Sequence, residues 1–130
     1  MIRVKILLVD NHTIFLDGLR MLIEKEPDMK VIGEADNGQR AIELAKRLTP
    51  DIVIMDITMP DMNGIDVTRA IIKDSPSTHI IALSVHSDRR LTSAMLEAGA
   101  SGYLTKDCTF EELLTTVANV GTDNPQPRNT

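Results

Sequence analysis

Polar residues that can take part in phosphoryl chemistry follow several apolar runs of the sequence. Asp10 and Asn11 follow VKILLV, Asp56 follows IVIM, Ser84 follows HIIAL, and Lys106 follows GYLT. A carboxylate that attacks phosphorus must approach an anion, so a divalent cation is needed to screen the charge. These residue types therefore favour a phosphoryl-transfer site that depends on Mg²⁺.

Each residue has a role in such a site. The protein ligands of Mg²⁺ would be Asp10, Asp56, Asn11 and the backbone carbonyl of Thr58. Lys106 would contact the phosphoryl oxygens, and Ser84 would donate a hydrogen bond to one of them. Asp56 is the candidate nucleophile, because it directly follows an apolar run and the next loop has its own capping residues.

Ordinary structural explanations exist for most of these residues when each is taken alone. Asp10 could cap the following helix, Ser84 could be a turn hydroxyl, and Lys106 could be a solvated lysine. The three histidines lack the spacing of metal ligands, and we interpret them as surface or turn residues: His12, His79 and His86. The functional interpretation depends on the polar residues occurring together at four predicted strand ends.

Five β-rich runs, each followed by a helix-patterned stretch, must position these residues. They are Val4 to Val9, Lys30 to Glu34, Asp51 to Met55, His79 to Leu83 and Gly102 to Leu104. The first, third and fourth runs are almost continuously apolar, which is typical of a parallel sheet covered by helices on both faces. We predict an α/β fold, a doubly wound five-stranded parallel sheet with its ligand site at the carboxyl ends of the strands.

Composition narrows the function classes. The 130 residues, 42% hydrophobic, suffice for one domain, and with two Phe, one Tyr and no Trp few rings can stack on a flat cofactor or a base. A net charge of −5 opposes binding to a phosphate backbone. A lone cysteine, Cys108, suits a reducing compartment such as the cytoplasm. The apolar run ILLV is too short for a membrane span.

Four sequence blocks resemble the signature of two-component response-regulator receiver domains: ILLVDNH, DIVIMDITMPDMNG, IIALS and AGASGYLTKD. The resemblance runs from Ile2 to Val120, and the start VDNH and the pair KD are similar to the NarL/FixJ (LuxR-type) subfamily. It implies a flavodoxin-like (βα)5 fold with strand order 2-1-3-4-5. It also implies a signalling switch that catalyses its own phosphorylation and dephosphorylation with Mg²⁺ and is not an independent enzyme.

The resemblance assigns roles to particular residues. Asp56 would be the phosphoacceptor, receiving its group from a sensor histidine kinase or a small phosphodonor. Asp10 and Asn11 hold the positions of the metal-binding acidic pair, and Lys106 holds that of the motif lysine.

Ser84 and Tyr103 hold the positions of the switch hydroxyl and the switch aromatic. In the family these two residues respond to the phosphoryl group and remodel the output surface, so a local charge biases a two-state element. The same comparison predicts that Ser84 is both a catalytic and a switch residue.

Two positions depart from the family pattern. Asn11 stands where the family usually has a second acid that touches the metal, so we expect weaker Mg²⁺ binding and less efficient phosphorylation. Asp107 follows Lys106 where most receivers have proline. A cis bond there would cost about 3 kcal/mol, so it would need support from the rest of the fold.

Residues 1–120 are expected to form the receiver domain, and residues 121–130 a linker or disordered tail. Subfamily members carry a helix-turn-helix domain after such a linker, so DNA binding and transcription control would require a domain that this chain does not contain. Helices one and five offer apolar residues for a homodimer. We expect no membrane partner.

Two alternatives remain at this point. Asn11 could spoil the metal site and leave a pseudo-receiver, a protein-interaction module that works without phosphorylation. An electron carrier or an aspartyl-phosphate phosphatase on the same fold is disfavoured, because the segment DNHTIF lacks a glycine-rich phosphate loop and no second acid lies two residues after Asp56.

Overall fold

The computed structural model describes residues 3–59, 63–85 and 88–121. Strands and helices alternate along the chain. The strands are β1 (Val4–Val9), β2 (Met29–Ala35), β3 (Ile52–Asp56), β4 (His79–Ser84) and β5 (Gly102–Thr105). The helices are α1 (Thr13–Ile23), α2 (Gly38–Leu48), α3 (Gly64–Asp74), α4 (Arg89–Ala98) and α5 (Phe110–Gly121).

The strands form one parallel sheet in the order β2-β1-β3-β4-β5, which confirms the predicted fold. In register, Val9 of β1 lies beside Met55 of β3, and Asp56 lies beside Leu83 of β4. All strands point the same way, so their carboxyl ends meet at one edge of the sheet. That edge carries Asp10, Asp56 and Ser84.

The sheet separates two apolar clusters, one on each face. Alternate residues of β1 serve the two faces: Leu7 and Val9 belong to one cluster, and Ile6 and Leu8 to the other. All four are at most 1% exposed, as predicted for a strand covered on both sides. Asp10, the polar residue after β1, is therefore held by a fully packed strand.

Capping residues define several helix ends. Asn37 accepts a hydrogen bond from Arg40 N at the start of α2, and Asp88 accepts one from Arg90 N at the start of α4. Gly99 ends α4 with φ 115°, the left-handed conformation that glycine favours.

The fifth helix opens with a reciprocal pair of hydrogen bonds. Glu112 N donates to Thr109 Oγ1, and Thr109 N donates to Glu112 Oε1. This helix runs one residue beyond the predicted domain end, to Gly121, and residues 122–130 lie outside the described part, so the linker stays a prediction. None of the described helices combines the length and the apolar character needed to cross a bilayer.

Candidate functional site

Asp56 is the last residue of β3 and is fully buried, at 0% exposure. Its Oδ1 accepts two hydrogen bonds from Thr58, one from the backbone N–H at 2.8 Å and one from the hydroxyl at 2.5 Å. The chain turns so soon after the strand that residue 58 folds back onto residue 56. One carboxylate oxygen is thus held by the turn, and the other, Oδ2, faces the rest of the site.

Asp10 lies at the end of the neighbouring strand and is 2% exposed. Its backbone N–H donates to Ala35 O of β2, which extends the sheet's hydrogen bonding past β1. Its Oδ1 accepts the backbone N–H of His12 at 2.9 Å. The N-cap of α1 is His12, whose side chain makes no capping bond, so Asp10 is not the cap of this helix.

Lys106 brings a cation to both acids. Its Nζ lies 2.7 Å from Asp10 Oδ2 and 3.0 Å from Asp56 Oδ2. Its side chain is 14% exposed, and the ammonium lies 4.5 Å from the ring centre of Phe15. The backbone N–H of Lys106 donates to Ser84 O at 2.8 Å, which fixes the loop after β5 against the end of β4.

The peptide bond between Lys106 and Asp107 is trans, since no described residue has a cis bond. The Asp107 carboxylate accepts a hydrogen bond from Thr105 Oγ1 across this turn. Lys106 thus reaches the carboxylates without the cis geometry considered from the sequence.

Burial and hydrogen bonding act in opposite directions on Asp56. Burial, the largest single influence, would raise the pKa of the carboxyl. The hydrogen bonds from Thr58, followed by the close contact and the positive charge of the Lys106 ammonium, together outweigh it and hold the pKa of Asp56 below its ordinary value. The nucleophilic carboxylate form is therefore favoured in the folded chain.

The carboxylate oxygens that face each other are well suited to a cation. Within the described residues, Asp10 Oδ2 and Asp56 Oδ2 are buried and accept no well-aligned hydrogen bond, although the Lys106 ammonium lies close to both. A buried charged oxygen without a hydrogen bond is costly unless a cation compensates it. Ligand atoms of Asp10, His12 and Asp56 lie within 4.8 Å of one another, so this group could hold a metal ion.

His12 is a site residue that sequence reasoning missed. Its Nδ1 lies 2.9 Å from Asp10 Oδ1, 3.7 Å from Asp56 Oδ2 and 2.9 Å from Lys106 Nζ. The side chain is 59% exposed, as predicted for a surface histidine, yet the ring nitrogen joins the acidic cluster. The signal in the sequence was its position directly after the Asp10-Asn11 pair.

The other predicted site residues occupy the same edge with different degrees of contact. Ser84 ends β4 and is fully buried, and Tyr103 lies in β5, half-buried against the apolar cluster that contains Met95. Asn11 is exposed and its side chain forms no hydrogen bond within the described part of the chain, so its predicted role as a ligand stays a prediction.

Comparison with known proteins identifies this arrangement. The response regulator receiver domain family matches residues 6–118, which is most of the chain. The chain belongs to the response regulator receiver family. The resemblance inferred from the sequence blocks is thereby confirmed.

Relatives of this receiver are named as response regulators or transcriptional regulatory proteins. It is 42% identical over 113 residues to the transcriptional regulatory protein YdfI of Bacillus subtilis, covering 87% of this chain and 53% of the relative. It is 41% identical over 109 residues to the nitrate/nitrite response regulator protein NarL of Escherichia coli, covering 84% and 50%. The receiver thus spans about half the length of these curated relatives.

Solved structures agree in fold and subfamily. A two-component response regulator of the LuxR family from Aurantimonas superposes with a TM-score of 0.88 at 36% identity, covering 93% of this chain and 86% of that chain. The signal receiver domain of the putative response regulator NarL from Mycobacterium tuberculosis gives 0.88 at 30% identity, covering 94% and 98%. The NarL/LuxR-type resemblance is confirmed.

Proposed function

We propose that this receiver is a phosphorylation-activated switch of a two-component system and that Asp56 accepts the phosphoryl group from a sensor histidine kinase. The observation that carries the proposal is the buried Asp56 Oδ2, which accepts no well-aligned hydrogen bond in the described part of the chain and lies 3.0 Å from Lys106 Nζ. It is the one oxygen of this carboxylate that Thr58 does not hold. It therefore has a lone pair available for attack.

In the proposed step, Oδ2 of Asp56 forms a bond to phosphorus while the bond from phosphorus to the donor breaks. The electron pair of that bond leaves with the kinase imidazole nitrogen or, for acetyl phosphate, with the acetate oxygen. Lys106 is placed to balance charge on the phosphoryl oxygens. Loss of the group to water would be the self-dephosphorylation expected of this family.

Mg²⁺ is the proposed cofactor, and when bound it would neutralise charge between the carboxylates and the phosphoryl group. The residues proposed to hold it are Asp10, Asp56, Asn11 and the backbone carbonyl of Thr58. The unbonded oxygens of Asp10 and Asp56 support this assignment. Asn11 contributes at most a neutral amide oxygen, so Mg²⁺ affinity should be lower than with a second acid.

Ser84 and Tyr103 are the proposed switch residues. Ser84 lies one position beyond Leu83, which pairs with Asp56, and its carbonyl accepts the backbone N–H of Lys106. Tyr103 pairs with Ala82 in the neighbouring strand. A charge change at Asp56 would thus reach β5 through β4, across adjacent backbone ladders.

The proposed output is transcription control through a further domain. We assign residues 1–120 to the receiver and residues 121–130 to a linker that leads to a helix-turn-helix domain; the half-length match to transcriptional regulators supports this division. DNA contact would belong to that domain and not to these residues. We place the activity in the cytoplasm, consistent with the single cysteine of the sequence.

A homodimer through α1 and α5 is the proposed assembly. Ile14 and Met21 of α1 are 89% and 63% exposed, so this helix presents large apolar side chains to solvent. A cavity of about 310 Å³ between α1 and α5 is lined by Phe15, Leu22 and Leu113, among others. If the proposal is correct, sedimentation should give a dimer that Ile14→Glu dissociates and that the exposed-residue control Glu43→Ala leaves intact.

Acetyl phosphate with Mg²⁺ followed by intact-mass measurement tests the central step. The wild-type receiver should gain the mass of one phosphoryl group, and Asp56→Ala should not. Asp17→Ala, which removes an exposed acid of α1, serves as the control and should still gain it. Absence of an adduct on the wild type would favour the pseudo-receiver alternative. No contact among the described residues supports that alternative.

A further inference from the structure

We propose that His12 is a nitrogen ligand of the cation site, so that the receiver binds Co²⁺, Ni²⁺ or Zn²⁺ through an imidazole that Mg²⁺ does not require. The inference rests on the proposed function, because it shares the cation position between Asp10 and Asp56. Beyond the proposed Mg²⁺ site, it adds His12 as a ligand and first-row transition metals as bound ions.

Separations among the ligand atoms fit adjacent positions around one ion. Two ligands at right angles, each about 2.1 Å from a metal, lie about 3 Å apart. His12 Nδ1 is 2.9 Å from Asp10 Oδ1 and 3.7 Å from Asp56 Oδ2. A small movement of the exposed imidazole would bring the larger of these separations to the ideal value.

Lys106 already marks the position of a cation among these groups. Its ammonium lies 2.7 Å from Asp10 Oδ2, 3.0 Å from Asp56 Oδ2 and 2.9 Å from His12 Nδ1. Each of these three atoms carries a lone pair and lies within ion-pair or contact distance of the ammonium. The same three groups could present lone pairs to a divalent ion once Lys106 turns toward a phosphoryl group.

The histidine nitrogen has conflicting neighbours without a metal. Nδ1 carries either one proton or one lone pair. A protonated Nδ1 could donate to Asp10 but would oppose the ammonium of Lys106, whereas a bare Nδ1 could accept from Lys106 but would face a carboxylate oxygen. A divalent ion removes the conflict, because Nδ1 and both carboxylates would then all donate to it.

Two buried carboxylate oxygens lie at this position, and the Lys106 ammonium is their close cation in the metal-free receiver. Asp10 Oδ2 and Asp56 Oδ2 belong to residues that are 2% and 0% exposed, and neither accepts a well-aligned hydrogen bond within the described residues. Asn11, expected to contribute an oxygen, is exposed. His12 is thus the neighbouring side chain that lies closest to replacing the missing acid.

Metal preference follows from the chemistry of the donors. Mg²⁺ prefers oxygen ligands and keeps several waters, so an imidazole adds little to its binding. Imidazole suits Ni²⁺ and Zn²⁺, and affinities of nitrogen-containing sites rise along the first-row series. Loss of His12 should therefore weaken binding of these ions much more than binding of Mg²⁺.

The first test is calorimetric titration of the metal-free receiver with Ni²⁺ and, separately, with Mg²⁺. His12→Ala should weaken Ni²⁺ binding at least about tenfold, the lower bound for losing even an outer-sphere partner of a metal. Mg²⁺ binding should change far less. His79→Gln is the matched control, because His79 begins β4 at the opposite edge of the sheet, and it should leave both affinities unchanged.

The second test needs no variant for its main result. Electron spin echo measurements on the wild-type receiver with bound Co²⁺ should show coupling to an imidazole nitrogen, and the coupling should change when histidine is labelled with ¹⁵N. It should vanish in His12→Ala. Wild-type protein without nitrogen coupling, or equal losses of Ni²⁺ and Mg²⁺ affinity in His12→Ala, would overturn the inference.

These outcomes separate the inference from the proposed function. Phosphorylation of Asp56 with Mg²⁺ but no nitrogen coupling would overturn the role of His12 and leave the switch intact. Nitrogen coupling without phosphorylation would support the ligand and contradict the switch. Because the His12 side chain is 59% exposed, His12→Ala should fold normally, which a thermal melt checks.

Discussion

Thr58 donates both its backbone N–H and its hydroxyl to the same oxygen of Asp56, at 2.8 and 2.5 Å. The second oxygen of that carboxylate is left facing Lys106. The turn after β3 thus makes the two oxygens chemically different. One oxygen anchors the carboxylate, and the other is available for chemistry.

Thr58→Val should lower the free energy of unfolding by about 1 to 2 kcal/mol at pH 7. Valine has nearly the shape of threonine but no hydroxyl, so the buried carboxylate of Asp56 loses one hydrogen-bond donor. The backbone N–H is retained, so the turn itself should survive. Urea denaturation measures the effect. Thr58→Ser keeps a hydroxyl, so its free energy of unfolding should fall much less. Equal decreases in the two variants would contradict the role of the hydroxyl.

Acidification should remove the stability that ionised Asp56 contributes in metal-free buffer. The pKa of Asp56 is lowered in the folded chain, so this contribution is present above the unfolded pKa, about 3.9, and is lost as the pH falls through the folded pKa. Urea melts of wild type and Asp56→Asn between pH 7 and pH 3 measure it. The wild-type curve should fall more steeply below about pH 4; parallel curves would refute this prediction.

Lys106→Met should destabilise the metal-free receiver by about 3 kcal/mol, since two buried carboxylates lose their only close ammonium among the described residues. Mg²⁺ should restore part of the loss, because it can replace the missing positive charge. Thermal melts with and without Mg²⁺ measure both effects. Lys46→Met on the exposed face of α2 is the control, and a similar Mg²⁺ response in that variant would contradict the explanation.

Gly64 presses the start of α3 against the residue that follows Asp56. A Cβ there would lie 2.7 Å from Ile57 Cγ2, so Gly64→Ala should cost about 1 to 3 kcal/mol and slow phosphorylation. A Cβ on Gly18 of α1 would meet nothing within 4 Å, so Gly18→Ala should stabilise by about 0.5 to 1 kcal/mol. Urea denaturation of the Gly64→Ala and Gly18→Ala variants measures both free energies of unfolding. Equal changes in the two variants would contradict the steric explanation.

Element types and their order could be predicted from the sequence because β1, β3 and β4 are buried on both faces and their central residues are apolar. Strand ends could not be placed to the residue. β3 and β4 each extend one position further, to Asp56 and Ser84, since backbone pairing continues regardless of side-chain polarity. The sheet order itself was supplied by the family resemblance.

Convergence of Asp10, Asp56 and Lys106 could be predicted because parallel strands deliver their carboxyl ends to one edge. The contacts of His12 and Thr58 could not, since they depend on how each chain turns after its strand. A residue two positions after a turn aspartate often donates to it, and both His12 and Thr58 do so. That pattern was the signal available in the sequence.

The uniform strand direction also determines where this receiver can be altered safely. Turns at the amino ends of the strands lie at the opposite edge of the sheet. One of them holds the exposed residues Pro76 and Ser77, which are separated from Asp56 by the length of a strand, roughly 17 Å. A fluorescent label or a short inserted epitope at that turn would report on the protein in solution without touching its chemistry.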